Sequence, residues 1–127
     1  MRINQIIANA AEILGLGDVV SMIRGGGGNL TANTNYSILL RCANLVASNL
    51  ALNGFEHMEN VPVFTTGDEV NPFKKLGNTA LEYGILAEFA FINGMFNEAQ
   101  VWNEKLEKQL FHRIHKTGRS LKMPRSF

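Results

Sequence analysis

The sequence predicts an all-α protein: a small bundle of about four helices with a short irregular or hairpin connector and an extended C-terminal tail. Three observations carry that expectation. Apolar side chains recur at helical spacing in separate segments; glycine or asparagine stands where each segment should stop; and no period of 20–50 residues repeats, which excludes a solenoid. The 127 residues suit one domain, here expected over 1–116, with 55–77 as connector and 117–127 as tail.

The first helix follows from Ile3, Ile6, Ile7, Ala10, Ile13 and Leu14, which form one amphipathic face ended by Gly15 and Gly17. Asp18 reads as the N-cap of a short apolar helix, Val19 to Arg24, closed by the four glycines 25–28. From about Asn33 to Asn53, Ile38, Cys42, Leu45, Val46, Asn49 and Leu52 repeat at helical spacing, widened by Leu39 and Leu50, and Gly54 supplies a left-handed stop. Asn44, Ser48 and Asn49 set short polar groups among these apolar positions, as suits a seam with a neighbour.

Residues 55–77 read as connector. Val61 to Thr66 has β-type composition, Gly67-Asp68 and Asn71-Pro72 are turn signals, and Pro62 confines any hairpin strand to an edge. A helix is then expected from Thr79 to Ile92, capped by Asn78 or Thr79, with Leu81, Ile85, Leu86, Phe89 and Ile92 on one face. Asn93-Gly94 stops it. Asn97 and Gln100 form a capping-box pattern for the last helix, whose buried stripe is Val101, Trp102, Leu106, Leu110 and Ile114, with Glu104–Lys108 as a supporting pair. Phe91, Phe96 and Phe111 fall off the main stripes and are expected to cover a second face against a neighbouring subunit.

Composition narrows function. Charged residues make up 18% of the chain, below the quarter usual for a soluble domain, and asparagines are abundant; the surface is expected to be polar but uncharged, or covered by partners. The single cysteine, Cys42, excludes an internal disulfide and a four-thiolate zinc site. No stretch of 18 apolar residues exists, so no membrane span is expected, and the start of the chain does not read as a secretory signal. Charge is divided sharply. Residues 105–127 hold seven cations against Glu107 alone, a net of +6, whereas residues 1–104 hold five cations and ten acids, a net of −5. An acidic body thus carries a basic end, a pattern that points to a charged partner.

Catalytic and metal chemistry find little support. Gly25–Gly28 lacks the preceding strand and following Lys-Ser/Thr of a phosphate loop. His112 and His115 have no nearby third ligand, so no metal and no cofactor are expected. Cys42 on an apolar face is a buried small hydrophobe first. Glu82 and Glu88 stand too far apart around a helix for a carboxylate pair, and Glu56-His57-Glu59 is a weak acid–base cluster in a connector. The chain is not expected to be an enzyme. The tail is the most pointed feature: Arg119, Lys122 and Arg125 alternate with Leu121, Met123, Pro124 and Phe127, the composition of a segment that orders on docking into another protein.

Four stretches resemble a known group. These are Leu39-Leu40-Arg41-Cys42-Ala43-Asn44-Leu45-Val46; Glu82-Tyr83-Gly84-Ile85-Leu86-Ala87-Glu88-Phe89; Asn93-Gly94-Met95-Phe96-Asn97-Glu98-Ala99-Gln100-Val101-Trp102; and Leu121-Lys122-Met123-Pro124-Arg125. Together they resemble the head–tail connector (adaptor) proteins of tailed bacteriophages, over residues 1–54 and 78–127. Longer members of that group carry a β-rich insertion between the second and third blocks, which residues 55–77 reduce to a loop or minimal hairpin. The resemblance implies a homo-oligomeric ring, commonly of twelve copies, in the virion neck beneath the portal protein and next to a tail component. It also implies a C-terminal segment docked on the portal and DNA passing through the channel, with assembly in the host cytoplasm and no membrane. Two rival readings are a small nucleic-acid-binding protein using the basic segment, and a packaging or regulatory factor.

Overall fold

In the computed structural model, the backbone of residues 1–116 and the side chains of residues 1–111 are described. Five α-helices and no strand occur among them: α1 (Ile3–Leu14), α2 (Gly17–Gly25), α3 (Thr34–Leu52), α4 (Gly77–Ile92) and α5 (Phe96–Lys116), with a 3-10 turn at Leu30–Ala32 before α3. The expected all-α class holds: five helices stand where a bundle of about four was expected, the short one read from Val19 to Arg24 being α2. The tail expected over 117–127 lies outside the described residues.

Local chemistry sets the helix ends. Gly15 adopts φ 76°, which lets the Leu16 N–H return to the Ala11 carbonyl at 2.9 Å and close α1. Asp18 does not cap α2; the helix begins one residue earlier, and the Asp18 carboxylate instead accepts from Asn33 Nδ2 at 2.9 Å. Asn33 is the actual cap of α3, its Oδ1 accepting the Tyr36 N–H at 2.9 Å, so one side chain fastens α2 to the start of α3. α4 starts at Gly77 without a side-chain cap, ahead of Asn78 and Thr79. α5 starts at Phe96, one residue before Asn97, and Gln100 reaches forward to Glu104 (3.4 Å) rather than back to form the expected box.

α4 is the central element. Ala80, Leu81, Gly84, Ile85, Leu86, Ala87, Phe89 and Ala90 are all buried, because α1, α3 and α5 pack around it. Gly84 permits the closest approach: a Cβ there would collide with the Val46 side chain of α3. Tyr83 stacks on Trp102 of α5 with ring centroids 5.8 Å apart, and Leu106 and Leu110 of α5 are fully buried beneath. Val101, expected inside, is half exposed.

The connector forms no hairpin among the described residues. Its strand-like stretch runs instead beside the N-terminus: the Ile3 N–H donates to the Glu69 carbonyl, Asn4 N–H to Gly67, and Asn71 N–H to Met1, each at 2.9 Å, with one antiparallel bridge between Arg2 and Val70. The first turn of α1 has free N–H groups to place, and the connector supplies carbonyls for them. Asn44 of α3 clasps Phe64 from both sides, Oδ1 accepting its N–H at 2.7 Å and Nδ2 donating to its carbonyl at 2.9 Å. The buried Tyr36 hydroxyl bonds Asn4 Oδ1 (2.7 Å) and the Thr66 carbonyl (3.0 Å). Gly67, at φ 78°, lies where a side chain would strike both Asn4 and Tyr36.

Candidate interaction surface

The residues that sequence reading offered for chemistry have structural duties. Glu56 accepts the N–H groups of Lys74, Lys75 and Leu76 at 2.8–3.0 Å and caps the turn that enters α4, while His57 and Glu59 point to solvent. Glu69 binds the Thr65 N–H at 2.8 Å, with the Thr65 hydroxyl and the Thr66 N–H adding to it; these donors hold its carboxyl down at about 2. Burial, with the field of Glu88 adding to it, pushes the Cys42 thiol up to about 12, so it stays protonated and packs as a hydrophobe. Burial alone raises Glu82 and Glu88 above the ordinary carboxylate range. No group of three or more His, Cys, Asp or Glu able to hold a metal occurs among the described residues. The backbone of His112 and His115 belongs to α5, and their side chains lie outside the described residues. No described helix is long and apolar enough to cross a membrane.

Two shallow cavities stand out among the described residues. One of about 240 Å³ lies between α4 and α5, lined by Tyr83, Lys105, Lys108 and Gln109, with the Lys105 ammonium 5.0 Å above the Trp102 ring. The other, about 290 Å³, is bordered by Arg2, Met22, Asp68 and the glycine loop, where Gly26 and Gly28 take positive φ. Neither gathers a nucleophile with a base.

What the surface does gather is apolar. Phe91 and Phe96, each 61% exposed, meet edge to face at the α4–α5 turn (centroids 5.6 Å apart), beside the exposed Ile92 and Met95. Phe111 is also more than half exposed, farther along α5. The three phenylalanines expected at a subunit interface therefore do face outward; Phe91 and Phe96 are brought together and Phe111 is set apart. Ile92, expected in the core, joins the outward group. The expected docking residues Arg119, Leu121, Lys122, Met123, Pro124, Arg125 and Phe127 lie outside the described residues.

A second apolar surface escaped the sequence reading. α3 buries Tyr36, Leu39, Cys42, Ala43, Val46, Ala47 and Leu50, and turns the expected inner positions Leu45 (44% exposed) and Leu52 (72%) outward with Asn49. With the half-buried Ile38 they make an outer stripe at seven-residue spacing. Arg41, on that stripe between Ile38 and Leu45, was the available signal, since a charge is disfavoured inside. Comparison of the chain with protein-family models, with curated proteins and with solved structures found no match.

Proposed function

We propose that this chain is a structural virion protein, a head–tail connector that forms a ring between portal and tail in the neck of a tailed bacteriophage. In this reading twelve copies make the ring, DNA passes through it, and residues 117–127 dock each copy on the portal; assembly takes place in the host cytoplasm. The observation that supports it most is the exposed cluster of Phe91, Ile92, Met95 and Phe96 on a body without a gathered catalytic or metal constellation among the described residues. Several adjoining large apolar side chains at one end of a small domain are the mark of a contact surface. The acidic balance of residues 1–104 suits a wall that DNA slides past, because phosphates are repelled there.

The test is association with a portal protein, read by native mass spectrometry with and without residues 117–127. The expected outcome is a complex with the full chain and none with the shortened one, whose helical circular dichroism stays intact. Unchanged association removes the tail from the mechanism, and no association of either chain sinks the connector reading. The net +6 of residues 105–127 favours a second reading, nucleic-acid binding. That reading requires an affinity for DNA that falls steeply with salt, whereas a connector shows little affinity at moderate salt.

A further inference from the structure

The dipeptide Asn-Gly occurs twice in the chain, at Asn53-Gly54 and Asn93-Gly94, and each time it ends a helix. The two ends are close copies of one another. Asn53 stands at φ −84° and ψ 3°, Asn93 at φ −88° and ψ 10°, and both glycines take φ 73°. Each asparagine Nδ2 donates to the carbonyl one turn back, of Asn49 or Phe89, at 2.8 Å. The Gly54 N–H donates to the Ala51 carbonyl at 3.2 Å and the Gly94 N–H to the Phe91 carbonyl at 3.1 Å. All four residues are exposed, with open space around both glycines. What differs is the chain beyond. Residues 93–95 are the whole link between α4 and α5; the Met95 N–H closes it on the Ala90 carbonyl at 2.8 Å, and Phe91 meets Phe96 across it. After Gly54 the chain enters the irregular connector, and the matching bond, from the Phe55 N–H to the Leu50 carbonyl, is 3.3 Å long.

An asparagine followed by glycine is prone to spontaneous deamidation, because glycine has no side chain to hinder attack by its backbone nitrogen. We propose that Asn53 is a deamidation site of the folded protein, and that Asn93, with the same neighbour and the same cap, is protected by its short link. The Gly54 nitrogen attacks Asn53 Cγ. A C–N bond forms, the Cγ–Nδ2 bond breaks, and the proton displaced from the glycine nitrogen leaves with Nδ2 as ammonia. Water then opens the cyclic imide at either carbonyl, which gives aspartate or isoaspartate at position 53. In both caps the glycine nitrogen is turned away from the carboxamide and its N–H is already bonded, so ψ of the asparagine must rotate first. At Asn93 that rotation swings α5 against α4, parting Phe91 from Phe96 and disturbing the buried Leu106 and Leu110. At Asn53 it breaks the cap and the long Phe55 bond, and lifts one half-buried ring. The next anchor, the Glu56 carboxylate on the N–H groups of Lys74, Lys75 and Leu76, hangs on a rotatable stem that can follow. The product sets a carboxylate at the negative end of α3, against the Asn49 carbonyl that the amide had satisfied, and so loosens the turn that carries Leu52.

Ageing of the full chain in mildly alkaline buffer, followed by peptide mapping with mass spectrometry, tests this. In the native chain Asn53 should convert on the order of tenfold faster than Asn93, the ratio given by about 1.4 kcal/mol between two opening free energies. In concentrated urea the two should convert at matching rates, because only the fold distinguishes them. A variant with a glycine–serine stretch inserted between Gly94 and Met95, its helix content checked by circular dichroism, should bring the Asn93 rate up toward that of Asn53. Native rates that match, or a faster Asn93, overturn the proposal. So does a native chain in which neither residue converts while both do in urea. Unequal rates in urea, in the native ratio, overturn it as well, since flanking sequence would then set the order. If Asn93 stays protected behind the lengthened link, its protection does not come from the link and that half of the proposal falls. Hydrogen exchange on Asn53→Asp reads the consequence: the last-turn amides of α3 should exchange faster than in wild type, and unchanged exchange would refute the loosening.

Discussion

The two sides of the molecule are held in place by different physics. On the connector side, polar side chains reach the backbone: Asn44 grips Phe64, Tyr36 reaches Thr66, and Glu56 and Glu69 collect N–H groups. On the α5 side, Leu106 and Leu110 are buried and a Tyr83–Trp102 stack closes the rim. A loop without regular pairing must place every buried N–H and carbonyl individually. A helix satisfies its own backbone and needs only shape and apolar area. The connector side should therefore respond to loss of single hydrogen-bonding groups, and the α5 side to loss of volume.

The largest effect is expected from Leu106→Ala, which removes a fully buried side chain from the contact between α4 and α5. It should cost about 2–5 kcal/mol in urea unfolding, the range for a cavity that neighbours cannot refill. On the other side, Asn44→Ala removes little apolar volume but leaves the N–H and carbonyl of the buried Phe64 without partners. Its expected cost is about 1–3 kcal/mol, and Asn44→Leu should not recover it, although leucine is the larger hydrophobe. Recovery by leucine would show that packing holds the connector too, and would erase the contrast.

The α5 side was the more legible of the two in the sequence. Leu106 and Leu110 repeat at helical spacing, and Asn93-Gly94 marks the turn before them, because a helical hairpin depends on near neighbours in the chain. The connector was legible only as irregular. Its partners, Asn4, Tyr36 and Asn44, are 20 or more residues away in the chain, and no local pattern announces such a bond. The outer stripe of α3 failed for another reason. Ile38, Leu45 and Leu52 have the same spacing as a buried face, and spacing alone does not say which of two apolar faces a monomer turns inward. The outward apolar surface was half legible: Phe91 and Phe96 stood off the main stripes and are outward, whereas the α3 stripe was assigned to the core.

A smaller effect sharpens the contrast at the α4–α5 turn. Phe91→Ala breaks the edge-to-face pair with Phe96 but uncovers no core, so it should cost a dilute chain about 0.5–1.5 kcal/mol. At high concentration the same variant should lose more relative to wild type, because a side chain covered in an assembly counts toward the stability of that assembly. Unfolding curves at two protein concentrations read the difference; equal losses at both would mean that Phe91 faces water in every state.

The smallest effect separates the two sides by the sign of a pH slope. Glu69 in the connector is held at about 2, below its ordinary 4.5, by N–H and hydroxyl donors that bind the carboxylate form. Its contribution is therefore complete above about pH 4.5 and is lost as pH falls toward 2. Glu82 and Glu88 on α4 are shifted the other way by burial, which favours the protonated form. Their contribution is complete below the ordinary value of 4.5 and is lost as pH rises through their raised folded-state values. Stability measured from about pH 3 to about pH 7 thus combines a rising and a falling component. Glu69→Gln should flatten the acid limb, and Glu88→Gln should remove part of the decline above it and leave the chain more stable near neutrality. Both changes should be small, since Glu69 and the α4 acids are all partly exposed and solvent screens them. If Glu88→Gln instead destabilised the protein at neutral pH, the carboxylate would have to be gripped by a cation, and α4 would be held by the kind of polar contact that otherwise distinguishes the connector.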